Sequence, residues 1–126
     1  MISKNWEEKR VLLAEDEETN IILMREFLSS TRLRIDIVRN GQDAVDKIES
    51  GEKYDLILMD IKMPRMNGLE AMAIIKKQYP TMRIIAQSAY ALAEEREQAM
   101  ETGCDDYITK PIRRDDLILL MSKYLG

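Results

Sequence analysis

Residues 54–68 read YDLILMDIKMPRMNG. The run LILM, residues 56–59, has no polar alternation, which suits a strand covered on both faces. It stops at Asp60, and a loop with Pro64 and an Asn67-Gly68 pair follows. Strands buried on both faces belong to parallel sheets, where a crossover helix returns the chain to the same edge for each new strand. What this carboxylate meets at the strand end therefore depends on what the other strands deliver there.

Comparable apolar runs occur at 11–14 (VLLA), 35–38 (IDIV), 84–86 (IIA) and 107–108 (YI). Between and after them, helical spacing covers 19–30, 41–50, 67–78, 91–102 and 113–125. Strand and helix alternate five times, which predicts a three-layer α/β domain with a parallel sheet. Leu23, Phe27 and Leu28 are expected on the inner face of the first helix. Asn67 with Glu70 has the form of a capping box at the start of the third, and Gly51 and Gly103 suit C-caps of the second and fourth. Residues 1–9 read as a leader, with the domain proper spanning 10–126.

The chain has 126 residues, a net charge of −4, one cysteine and no histidine. That length suits a single domain. The acidic balance argues against direct nucleic-acid binding. The lone Cys104 excludes an internal disulfide and fits a reducing compartment. Without histidine there is no Ser-His triad, no imidazole metal site and no internal histidine phosphodonor. No signal-peptide core or apolar run of spanning length is present, so a cytoplasmic location without membrane contact is expected.

Ligands of open parallel sheets bind beyond the carboxyl ends of the strands. Those ends carry Glu15 and Asp16 after the first run, Asp60 after the third, Ser88 after the fourth, and Thr109, Lys110 and Pro111 after the fifth. Three carboxylates gathered without compensation repel one another. A hard divalent cation with oxygen ligands is the natural counter-charge, and Mg²⁺ favours one or two carboxylates, retained waters and a substrate phosphate. An aspartate can attack phosphorus, and Lys110 and Ser88 supply a fixed charge and a hydroxyl donor. Asp60 is the best-placed nucleophile, because it stands alone whereas Glu15 and Asp16 form a pair.

With LLAEDE, DLILMDIKMPRMNG, AQSA and DDYITKP in hand, the chain resembles the receiver domain of two-component response regulators from about Arg10 to Leu125. The resemblance implies a flavodoxin-like fold with strand order 2-1-3-4-5. It implies Asp60 as phosphoacceptor, and Mg²⁺ held by Asp16, Asp60 and the Lys62 backbone carbonyl, with Glu15 acting through water. Ser88 and Lys110 would contact phosphoryl oxygens, Tyr107 would be the switch aromatic, and the Lys110-Pro111 bond would be cis. Glu15 departs from the commoner aspartate, while Lys62 and Tyr90 stand where the family tunes dephosphorylation. The implied partner is a histidine kinase or histidine phosphotransfer domain. The implied role is signalling, with catalysis confined to the domain's own phosphorylation and dephosphorylation. WEEKR and GCDDYITKPI resemble the C-terminal receivers of hybrid sensor histidine kinases, and the reading favours a segment of such a kinase over a stand-alone regulator.

Competing readings fare worse. A dehalogenase-type phosphatase needs a second acid two residues after the nucleophile, where this chain has Lys62. A nucleotide or flavin domain needs a glycine-rich phosphate loop, which is absent. A degenerate receiver working without phosphate sits poorly with a complete set of site residues. Taken singly, Asp60 could be a turn cap, Ser88 a loop tie, Lys110 a solvated charge and Tyr107 simple packing. Ile21 or Ile22 on the first helix, and Ile118 and Leu119 on the last, are open between ordinary exposure and docking, a homodimer contact included.

Overall fold

In a computed structural model, which describes residues 2–126, five strands and five helices alternate. They run β1 (Arg10–Ala14), α1 (Glu18–Leu28), β2 (Arg34–Val38), α2 (Gly41–Glu49), β3 (Leu56–Asp60), α3 (Gly68–Gln78), β4 (Ile84–Ser88), α4 (Ala93–Thr102), β5 (Asp106–Thr109) and α5 (Arg114–Leu125). The sheet order is β2-β1-β3-β4-β5 and the registered pairs are parallel, the expected doubly wound arrangement.

Period-2 alternation in the central strands feeds two separate cores. Leu12, Ala14, Ile57 and Met59 join Val45, Ile48, Met72 and Ile75 of α2 and α3 on one face. Val11, Leu13, Leu56 and Leu58 join Met24 and Leu28 of α1 and Leu117, Ile118 and Met121 of α5 on the other. All five residues of β3 are buried, which explains its unbroken apolar run.

Local signals behave as expected at most helix ends. The Asn67 side chain accepts from the Glu70 amide at 2.9 Å, and Asn40 caps α2 by accepting from the Asp43 amide at 2.8 Å. Gly51 and Gly103 adopt φ of +90° and +121° just past α2 and at the end of α4. Two faces differ from expectation. The buried side of α1 is Asn20, Ile21, Met24 and Leu28, while Ile22 and Leu23 face solvent. Of the α5 pair Ile118 and Leu119, Ile118 is fully buried and Leu119 is exposed.

Residues 2–9 contain no strand or helix, yet Trp6 is buried against the α1–α5 core. Its indole donates to the Gly126 carbonyl at 3.0 Å, and its amide to Thr31 at 2.7 Å. Among the described residues, no helix is long and apolar enough to cross a membrane.

Candidate functional site

Parallel strands of matched length bring their carboxyl ends to one edge. Asp60 ends β3 and pairs in register with Gln87, one residue before Ser88, and Ser88 pairs with Thr109. The ladder continues past the strands: Ile61 donates to the Gln87 carbonyl at 3.0 Å and Lys110 to the Ser88 carbonyl at 2.7 Å. Backbone pairing thus sets Asp60, Ser88 and Lys110 side by side before any side chain is considered.

Two glycines make room behind the loop that follows β3. A Cβ at Gly68 would lie 2.1 Å from the Asp60 carbonyl oxygen, and one at Gly41 would lie 2.3 Å from that of Met66. Both are close backbone approaches that only glycine permits. The Gly41 amide donates to Met66 at 2.8 Å and the Gly68 amide to Ile61 at 2.8 Å, so the loop is pinned at both ends.

Carboxylate oxygens of Glu15, Asp16 and Asp60 lie within 4.8 Å of one another, Glu15 and Asp60 buried and Asp16 exposed. Lys110 Nζ is 2.9 Å from Glu15 Oε1 and 3.4 Å from Asp60 Oδ2. Asp16, Asp60 and Lys110 border a cavity of about 220 Å³ lined also by Glu17, Ile61, Lys62, Ser88 and Ala89, with Glu15 fully buried beneath them. Lys62 and Tyr90 meet across its rim, with Lys62 Nζ 3.1 Å from the Tyr90 hydroxyl and 4.4 Å from the ring centre. Lys110-Pro111 is cis.

Charge is unbalanced here. Burial, then the hydrogen bond and charge of Glu15, push the Asp60 carboxyl up to about 7. For Glu15, burial is outweighed by hydrogen bonds to Asp60 and Lys110, which hold it below its usual value. Burial also opposes the Lys110 charge, but its two acidic partners hold the ammonium above the ordinary lysine value. One lysine against three carboxylates leaves room for further positive charge. An all-oxygen donor set, part buried and part open, fits a hard divalent cation such as Mg²⁺.

Tyr107 is half-buried, and its hydroxyl lies 2.9 Å from both the Tyr90 carbonyl and Glu95 Oε1. Ser88 Oγ donates to the same Glu95 oxygen. Two contributors had escaped the sequence reading. Asn20 is buried and its amide donates to Glu15, which also accepts from the Glu17 amide at 3.3 Å. The available signal was a polar residue inside the first helix, five positions after Glu15. Glu95 carried no such signal, because its position depends on the path of the loop after β4.

The family model described as response regulator receiver domain matches residues 11–122. The hybrid signal transduction histidine kinase G of Dictyostelium discoideum is 37% identical over 94% of this chain, which spans only 4% of that protein. The polar-differentiation response regulator DivK of Brucella anthropi is 34% identical, with 94% of this chain and 97% of that protein covered. The crystal structure of the receiver domain of a Pseudomonas aeruginosa sensor histidine kinase superposes with a TM-score of 0.86 at 33% identity, covering 94% of this chain and 98% of that one; it carries a magnesium ion in its active-site cleft. Matches of this extent, on a fold and an acidic strand-end cavity reached independently, settle the family: the chain belongs to the response regulator receiver domains of two-component systems.

Proposed function

We propose that Asp60 accepts a phosphoryl group from the phosphohistidine of a histidine kinase or phosphotransfer domain, and that the resulting acyl phosphate shifts the domain between two conformations. The observation that carries this reading is the convergence, from three separate strand ends, of Asp60, Asp16 and Lys110 around one small cavity, with Glu15 buried against them. An Asp60 carboxylate oxygen forms the new bond to phosphorus as the bond to the donor nitrogen breaks. Lys110 neutralises charge on the transferred group, and Ser88 offers it a hydrogen bond. Asp16 and Asp60, with Glu15 acting through water and the Lys62 carbonyl completing the set, would hold Mg²⁺. When bound, the ion supplies charge neutralisation of the phosphoryl oxygens.

Ile22 and Leu23 of α1 are exposed, and a groove of about 370 Å³ runs from Leu23 and Asn20 to Lys110 and Pro111 beside the cavity. This apolar rim suits the helical face of a phosphodonor delivering its histidine to Asp60. The relatives support a place in a hybrid sensor histidine kinase, although a stand-alone regulator of the DivK kind is similar as well.

The test is intact-mass measurement after incubation with Mg²⁺ and acetyl phosphate. Wild type should gain one phosphoryl group, and Asp60→Asn none. An unmodified wild type, or an adduct that survives in Asp60→Asn, would overturn the assignment.

A further inference from the structure

The Ser88 hydroxyl is already engaged. It donates to Glu95 Oε1 and accepts from the Tyr90 amide at 3.0 Å. The same Glu95 oxygen lies 2.9 Å from the Tyr107 hydroxyl, which also sits 2.9 Å from the Tyr90 carbonyl. One carboxylate from the first turn of α4 therefore ties together the end of β4, the loop beyond it and β5.

A serine hydroxyl carries a single proton. Donated to Glu95, that proton is not available to an anion on Asp60; donated to the anion, it leaves Glu95 without its partner. A phosphoryl group at Asp60 would also place negative charge near the Glu95 carboxylate, and like charges repel. The rest of α4 resists displacement weakly. Ala99 is the one buried residue of the helix, against four in α5, and Leu92 at its N-cap makes no side-chain cap.

We infer that Glu95 is a latch: its carboxylate competes with the phosphoryl group for the Ser88 hydroxyl and, through Ser88 and Tyr107, holds the N-terminal end of α4 in its resting position. The inference rests on the reading of Asp60 as phosphoacceptor. Glu95 touches no reacting atom, so it is a positioning residue. Phosphorylation takes Ser88 away from it, the Tyr107 hydroxyl is left as the remaining partner of that Glu95 oxygen, and the start of α4 is loosened.

Two measurements test the latch, with Glu94→Ala as control because Glu94 is exposed in the same turn and carries the same charge. In the first, acetyl phosphate with Mg²⁺ should modify Glu95→Ala about tenfold faster than wild type, the factor expected when one charge-assisted hydrogen bond no longer competes. Glu94→Ala should keep the wild-type rate. In a Ser88→Ala background, removal of Glu95 should accelerate nothing further, since the two act through one proton. In the second, hydrogen exchange without any phosphodonor should speed up at the Tyr90 amide and the first turn of α4 in Glu95→Ala, and not in Glu94→Ala.

Equal effects of the two substitutions in either assay would reduce Glu95 to a helix-end charge and overturn the latch. So would an unchanged exchange rate at Tyr90. A wild type that takes no phosphoryl group would instead sink the phosphoacceptor reading, and the exchange experiment would still decide whether Glu95 restrains α4.

Discussion

Asp60→Asn should make the metal-free domain more stable, by an amount that grows with pH. Asp60 is 5% exposed and Glu15 fully buried, and burial, then Glu15, raises the Asp60 carboxyl from 3.8 to about 7. The folded protein thus holds this proton more tightly than the unfolded chain does. Its stabilising contribution is complete below about pH 4 and is lost as pH rises through about 7. A shift of about three units corresponds to roughly 4 kcal/mol. Relaxation of the cluster and entry of water from the cavity bring the expected cost of the ionised form to about 2 kcal/mol.

Asparagine resembles the protonated aspartate in shape and keeps a donor for Glu15, so it escapes that cost. With an unfolding entropy near 0.26 kcal/mol/K for a chain of this length, about 2 kcal/mol raises Tm by about 8 °C. Circular dichroism melts in chelator should show that gap at pH 8 and a gap under about 2 °C at pH 3.5, below the ordinary carboxyl value. Adding Mg²⁺ at pH 8 to ten times its dissociation constant should stabilise wild type alone by about 1.4 kcal/mol and narrow the difference. A pH-independent gap, or an asparagine variant no more stable than wild type at pH 8, would refute the account of a charge-strained cluster.

Gly68→Ala should cost at least about 2 kcal/mol in urea unfolding, because the new methyl meets the Asp60 backbone 2.1 Å away rather than a yielding side chain; it should also slow the phosphoryl adduct formation proposed for Asp60 by shifting that residue. Lys110→Met should destabilise the domain by about 3 kcal/mol at pH 8 by leaving the Glu15 carboxylate buried without its cation, and by less at pH 5; a loss independent of pH would show that packing, not charge, is at stake. Gln87→Met should stabilise by about 1 kcal/mol in the same assay. Gln87 is fully buried, and neither polar atom of its side chain has a hydrogen-bond partner among the described residues.

The strands were legible because both faces of the sheet are covered, and the apolar runs mark them directly. Their ends were less so. The fourth run stopped at Ala86 and the fifth at Ile108, whereas the ladders extend to Ser88 and Thr109. Hydropathy falls off before the strand does, because the last residues of each strand serve the edge rather than the core. The same cause misled the reading of α1. Asn20 takes a core-facing position to hold Glu15, and the buried row of α1 runs Asn20, Met24 and Leu28 with Ile21 beside it, which leaves Leu23 outside. Ile118 and Leu119 are adjacent and equally apolar, and only the docking of α5 on Leu13 and Leu58 decides which is buried.

The residues that weaken this domain therefore lie where its strands end. Asp60 is held with a raised carboxyl value and Gln87 is buried without a partner, while α4 is tied down mainly by polar contacts. The opposite end of the sheet is built otherwise. There Arg10 pairs with Asp36 and Glu52 at 2.6 Å each and stacks on Tyr54, and Trp6 closes the base. A charge added at Asp60 is thus met by a rigid base and a loosely held upper rim, so rearrangement is channelled toward Ser88, Tyr107 and α4. If that division holds, Asp60→Asn should slow exchange across the carboxyl edge of the sheet and leave the base at its wild-type rate; slowing spread evenly over both ends would mean that the domain responds as one unit.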